Sequence, residues 1–183
     1  SAEGVGLNLD RLPPAGASSP TALVIVLPDA SQQPEDHAGM TPGLPRHEQL
    51  ALRLAQHGCV VLVPTLIDRD CAWSGHPDVR WTNLTHRELV YRCGFELGRH
   101  VIGYEVQKTL AAVDLCDSDR DGFAGRSIPI AVVGVGEGGL IALCSAALDQ
   151  RIDVCCVRGY FGAREAVWQE PLYRNVYGQL AEF

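Results

Sequence analysis

The sequence predicts an α/β protein, a three-layer sandwich built on a mainly parallel, doubly wound sheet, and three observations predict it. Four short apolar runs rich in β-branched residues lie at 22–27 (ALVIVL), 59–63 (CVVLV), 128–133 (IPIAVV) and 152–157 (IDVCCV). Continuous runs of this length are the pattern of strands buried on both faces of a parallel sheet. Helical patterns separate them, and strand–helix alternation is the order of a doubly wound sheet with right-handed crossovers. A glycine-rich turn, 134–139 (GVGEGG), follows the third run and opens a helix.

Composition allows such a core. A chain of 183 residues buries about 70% of the surface its unfolded form exposes. Apolar residues make up 46% and charged ones 20%, the balance of a soluble globular protein and not of a disordered or fibrous one. The net charge is −7, Lys108 is the sole lysine and the arginines are scattered, so no basic patch exists for nucleic acid. No run approaches the roughly 20 apolar residues of a membrane-spanning helix, and no signal peptide opens the chain. Neither nucleic acid nor membrane is an expected partner. The chain begins at Ser1 and holds a single methionine, Met40, which reads as a processed or partial polypeptide.

Seven cysteines stand at 59, 71, 93, 116, 144, 155 and 156, with no CxxC pair and no Cys/His spacing suited to zinc. Cys59, Cys144, Cys155 and Cys156 lie in apolar runs, where free cysteine behaves as a small buried hydrophobe. That favours a reducing compartment, the cytoplasm slightly above others.

In chain order, residues 1–20 are rich in Gly, Pro, Ala and Ser and predict a flexible lead-in, with the folded domain spanning 21–183. The first strand, 22–27, stops at Pro28-Asp29, and 28–45 reads as a long polar loop. Residues 47–57 (HEQLALRLAQH) space Leu50, Leu52, Leu54 and Ala55 for a helix, closed by Gly58. The second strand, 59–63, ends at Pro64, and 67–83 is a second long loop. Thr85-His86-Arg87-Glu88 has the form of a capping box. From it an apolar stripe runs through Leu89, Cys93, Leu97, Val101, Val106, Leu110 and Val113, with Gly94, Gly98 and Gly103 as bends in one long helix. The third strand, a small-residue helix over 138–148 and the fourth strand complete the pattern.

Ligands in such sheets bind at the carboxyl ends of the strands. Here those ends are Pro28-Asp29-Ala30, Pro64-Thr65, the 134–139 turn and Arg158-Gly159-Tyr160. The turn has the context of a G-x-S-x-G nucleophile elbow, in which small residues flank a strained turn that holds one side chain above the sheet. With Gly134 and Gly138 as the outer glycines, Gly136 takes the nucleophile position. Glu137 would supply the backbone N–H facing an oxyanion, and the Asp29-Ala30 loop a second donor. The same turn also fits G-x-G-x-x-G, the dinucleotide fingerprint, through Gly134, Gly136 and Gly139, with Arg158 placed to suit a 2′-phosphate. Such a fingerprint normally opens its domain, whereas two strands precede this one.

At this point the chain resembles a known group. Over 20–183 the segments LVIVLPDA, RLAQHGCVVLVPTLIDRD, TNLTHRELVYRCGFELGRHVIGYEVQKTLAAVD, VVGVGEGGLIALCSAALDQRID and GYFGAREAVWQEPLYRNVYG resemble bacterial α/β-hydrolases of the acetylxylan-esterase-like and dienelactone-hydrolase-like group. The resemblance implies the α/β-hydrolase fold and ester cleavage by a nucleophile, an acid and a histidine. Only the elbow maps, and glycine stands at its centre. All six histidines precede Gly136, whereas the fold orders its triad nucleophile, acid, histidine. The expectation is therefore an α/β-hydrolase domain whose C-terminal part is missing. It would be inactive as this chain, with a small ester or carbohydrate ester as its ligand if it has one. No cofactor is expected.

Other candidates have plainer readings beside them. His86, Arg87, Arg99, His100 and Glu105 share the long helical stretch, where His86 and Glu105 would stand about five turns apart. Surface pairs are the plain reading, and Arg99 or His100 meeting Glu137 is the sharper one. Glu137 suits a helix N-terminus whether or not it has a chemical role. Asp117, Asp119 and Asp121, before Gly122, match the first half of a calcium loop, but Ile128 stands where its bidentate glutamate belongs. The apolar load of Trp168, Leu172, Tyr173, Val176, Tyr177, Leu180 and Phe183, with the fourth strand, points to self-association or a complementing chain, or to a non-catalytic interaction module.

Overall fold

A computed structural model of the chain describes residues 9–12, 20–67, 78, 84–120, 127–174 and 176. Five strands form one sheet: β1 (Leu9–Leu12), β2 (Leu23–Leu27), β3 (Val60–Pro64), β4 (Ile130–Val135) and β5 (Val154–Arg158). Their spatial order is β1-β3-β2-β4-β5. β2, β3, β4 and β5 run parallel, with Leu23 opposite both Val60 and Ile130, while β1 joins antiparallel beside β3. The expected doubly wound sheet is present.

The alternation of side chains along β2 builds the three layers. Leu23, Ile25 and Leu27 face one side with Ile130 and Val132, under α3 (His86–Glu96), α4 (Val101–Arg120) and α5 (Glu137–Leu148). Val24 and Val26 face the other with Val61 and Val63, under α2 (Leu50–Gln56) through Ala51 and Ala55. Both faces of the central strands are covered, which is why their sequences are continuously apolar. No helix among the described residues is long and apolar enough to cross a membrane.

Four features differ from the sequence expectation. Part of the lead-in, Leu9–Leu12, is ordered as edge strand β1, because β3 offers it an open row of backbone partners. The 28–45 loop contains a short helix, α1 (Pro34–Ala38), started by a proline, with Asp36 reaching back to the Gln33 N–H at 2.9 Å.

The expected single long helix is two. Thr85 does cap its start, accepting from the Glu88 N–H at 3.2 Å, but Leu97–His100 breaks it. Gly98 there adopts φ +67°, a left-handed conformation that reverses the chain and that glycine takes without penalty.

β5 is an exposed edge and not a buried strand. Val154 is 52% exposed, and Cys155 and Cys156 are exposed as well. The expectation that these two cysteines are buried is thereby corrected: α5 packs along β5, yet among the described residues no strand pairs with its outer side. Cys59 is buried, as expected, and Cys144 is only half-buried.

Candidate functional site

The site is built at the junction of β4 and α5. The chain must turn sharply from strand to helix within one residue, and Gly136 does so at φ 56°, ψ −119°. A residue with a side chain held there stores about 1–3 kcal/mol of strain. Its flanking glycines are needed for contact: a Cβ on Gly134 would lie 2.0 Å from the Gly138 carbonyl oxygen, and one on Gly138 would lie 2.2 Å from that of Leu27. The result is a sharp, tightly packed strand-to-helix turn with glycine at its apex, and the Gly136 N–H donates to the Arg158 carbonyl at 2.8 Å.

Asp29, at the end of β2, fills the space above that apex. A Cβ on Gly136 would stand 2.2 Å from Asp29 Oδ1. The same oxygen accepts the Glu137 backbone N–H at 3.0 Å, the donor that an oxyanion would need. Asp29 is itself held. Its N–H donates to Gln32 Oε1 at 3.0 Å, and Gln32 Oε1 also lies 2.9 Å from Nε2 of buried His37. Ala30, its neighbour, lines the adjoining cleft.

The Glu137 side chain points into the protein, 1% exposed, between two guanidinium groups. Arg87 Nη2 pairs with Oε1, and Arg174 Nε donates to Oε2 at 2.9 Å. Arg87 is also 1% exposed, and its Nη1 donates to Glu105 Oε1 at 2.9 Å. Lys108 adds an ammonium 3.3 Å from Glu105 Oε2. The ring of Tyr173 lies over the Arg87 guanidinium, 5.4 Å from it, a cation–π placement. Burial pushes the Arg87 pKa down from its ordinary value, opposed by the Glu105 carboxylate. Removing one partner of such a buried pair costs about 3–5 kcal/mol, whereas an exposed pair such as Arg92–Glu88 contributes about 0.3–0.5 kcal/mol. The buried cluster therefore anchors the site.

This cluster escapes the sequence reading because of the helix break. Along one straight helix Arg87 and Glu105 would stand about 27 Å apart; the reversal at Gly98 packs α3 against α4 and brings them into contact. Tyr173 reads in the sequence only as part of an apolar C-terminal segment, and neither it nor Arg174 carries a signal that ties it to this site, both being far from the turn along the chain. Arg99 is exposed at the break. His100 acts locally, its Nδ1 accepting the Ile102 N–H at 3.1 Å while its ring meets Tyr91 edge-on at 5.3 Å. Arg87 and Arg174 occupy the place beside Glu137 that Arg99 or His100 was expected to take.

Asp29, Ala30, Gln32, Gln33, Leu66, Ile67, Arg87 and Glu137 line a small polar cleft with room for about 10 Å³, roughly one water. Among the described residues no group of three or more His, Cys, Asp or Glu side chains is placed to hold a metal. Asp117 lies on α4 and pairs with Arg151 at 3.4 Å. The Asp119 side chain and Asp121 lie outside the described residues.

No family model matches the chain, and no curated protein does. Solved structures do. A Bacteroides fragilis protein assigned as an acetyl xylan esterase superposes with a TM-score of 0.56 at 20% identity, over 79% of this chain and 38% of its own. A cold-adapted esterase from an Arctic intertidal metagenomic library superposes with a TM-score of 0.50 at 19% identity, over 84% of this chain and 55% of its own. The chain thus spans about two fifths to just over half of their lengths. Identities this low speak for the fold alone.

Proposed function

Taking as premise that the chain has the α/β-hydrolase fold, we propose that it is an esterase-like domain that does not itself hydrolyse esters. The observation that carries this reading is the Asp29 carboxylate seated on Gly136. Acyl transfer at an elbow needs an activated oxygen or sulfur nucleophile and free N–H donors for the oxyanion. Glycine supplies no such atom. The Glu137 N–H is already bonded to Asp29, whose charge opposes the oxyanion that would have to replace it. Glu137, engaged by Arg87 and Arg174, serves as an anchor for the fold and not as a base. The esterase descriptions of the similar structures support a small ester or carbohydrate ester as the class of ligand.

The test is direct. Purified chain incubated with p-nitrophenyl acetate should give no rate above buffer, and a fluorophosphonate probe should label no serine. Turnover abolished by Glu137→Gln, or a labelled serine, would overturn the reading.

A second reading, a non-catalytic module that pairs with another copy or a complementing chain, is supported by the exposed edge of β5 and by Phe161 and Trp168, 72% and 83% exposed.

A further inference from the structure

Three of the cleft-lining residues, Asp29, Arg87 and Glu137, are touched by one short 3-10 turn, Leu172–Arg174. Tyr173 is 6% exposed and covers the Arg87 guanidinium. Arg174 donates from Nε to Glu137, pairs through Nη1 with Glu170, and brings Nη2 to 3.8 Å from Asp29 Oδ1.

The segment leading to this turn has little apolar hold. Phe161, Trp168 and Leu172 are all more than half exposed, so burial of these three does not fasten it. Tyr160 at its start and Val176 beyond its end pack on the core. Between them, Tyr173 and Arg174 supply the contacts that reach the site. Tyr173 is the one apolar anchor of the turn, buried in the core beside α4 as well as lying over the Arg87 guanidinium, whereas Arg174 is polar, 23% exposed and open to water and salt.

We propose that Leu172–Arg174 is a strap latched by Arg174, which closes over Arg87 and Glu137 and opens as a unit when the latch is broken. Closed, it supplies the second guanidinium to Glu137 and draws positive charge toward Asp29, strengthening the carboxylate's seat on the elbow. Open, it hydrates Arg87 and Glu137 and leaves Asp29 held by the Glu137 N–H and its own loop. The strap thereby couples a surface turn to the elbow of the sheet. This holds whether or not the domain cleaves esters.

Amide hydrogen exchange on the intact chain tests it, because local opening is read segment by segment. Arg174→Ala should speed exchange across 164–174 by about tenfold or more, as expected for loss of one charge-assisted bond. It should speed 29–33 by a smaller factor and leave β2 and β4 unchanged. Arg174→Lys, a point charge without the planar fork, should fall between. In the unsubstituted protein about 0.5 M sodium chloride should move 164–174 in the same direction, since the latch is partly exposed.

Unchanged exchange at 164–174 in Arg174→Ala would overturn the proposal, because the strap would then be held elsewhere. An equal rise in β2 and β4 would overturn it too, because Arg174 would be stabilising the whole fold. Should Arg174→Ala fail to fold, the salt series on the unsubstituted chain decides the matter by the same criterion, a local rise against a uniform or absent one.

Discussion

Gly136 and Asp29 explain each other. The strained φ of 56° at the elbow admits glycine freely, and the absence of a Cβ gives Asp29 the space to reach the Glu137 N–H. Restoring a serine with Gly136→Ser should therefore be costly. It reinstates about 1–3 kcal/mol of backbone strain and drives a Cβ to within 2.2 Å of Asp29 Oδ1. Urea unfolding should show a stability loss of at least that strain, with no gain of esterase activity. Adding Asp29→Ala should recover part of the loss, because the two changes share one contact. A Gly136→Ser protein as stable as the parent would show that Asp29 does not occupy the apex. The glycine and its two flanking glycines are legible in sequence, because they are chain neighbours with a recurring spacing. The sequence also brings the Asp29-Ala30 loop to this turn, but as an N–H donor; that the Asp29 carboxylate accepts the Glu137 N–H, 108 residues away, while its own N–H goes to Gln32, is not legible there.

At the scale of elements, the loop after β2 is a positioning device for Asp29. Gln32 Oε1 is an acceptor and takes the Asp29 N–H, so His37 meets it as a donor through Nε2. The other nitrogen, Nδ1, is buried with no hydrogen-bond partner among the described residues. Protonating it would place a charge in that burial, and burial pulls the His37 pKa below its usual 6.5 despite the nearby Asp36 and Glu48. The unfolded chain then binds more protons than the folded one, so stability falls with falling pH. The contribution is intact above the ordinary histidine range and is lost as pH drops below about 6.5. The urea midpoint should fall more steeply from pH 7 to about 5 in the unsubstituted chain than in His37→Gln. Parallel slopes would remove His37 from the account. The break between α3 and α4 belongs to this scale as well. The apolar stripe runs unbroken across Gly98, so periodicity reads one helix, and the reversal that pairs Arg87 with Glu105 is set by packing over the sheet.

For the whole molecule the unresolved tension is the edge at β5. A strand of this composition exposes Val154, Cys155 and Cys156 with one side unpaired among the described residues, and edges of that kind template further pairing. Light scattering at micromolar concentration should give a mass above the 19.8 kDa of one chain. Val154→Lys, a charge on the edge, should return the protein to that mass. A monodisperse 19.8 kDa species without the substitution would show that the chain leaves this edge open in solution.

The sequence by itself determined the four parallel strands, their separation by helices and the glycine turn that joins the third of them to its helix. Each is written in local periodicity or in neighbouring residues, and the hydrophobic pattern of a strand covered on both faces leaves little choice of layer. Tertiary structure alone decided that Asp29 sits on Gly136 and that Arg87 joins Glu105 with Glu137. It also decided that Tyr173 and Arg174 close over them and that β5 lies at an open edge. Those outcomes rest on contacts between segments remote along the chain, where the geometry of the sheet and one reversal at Gly98, and not the spacing of residues, bring charges together.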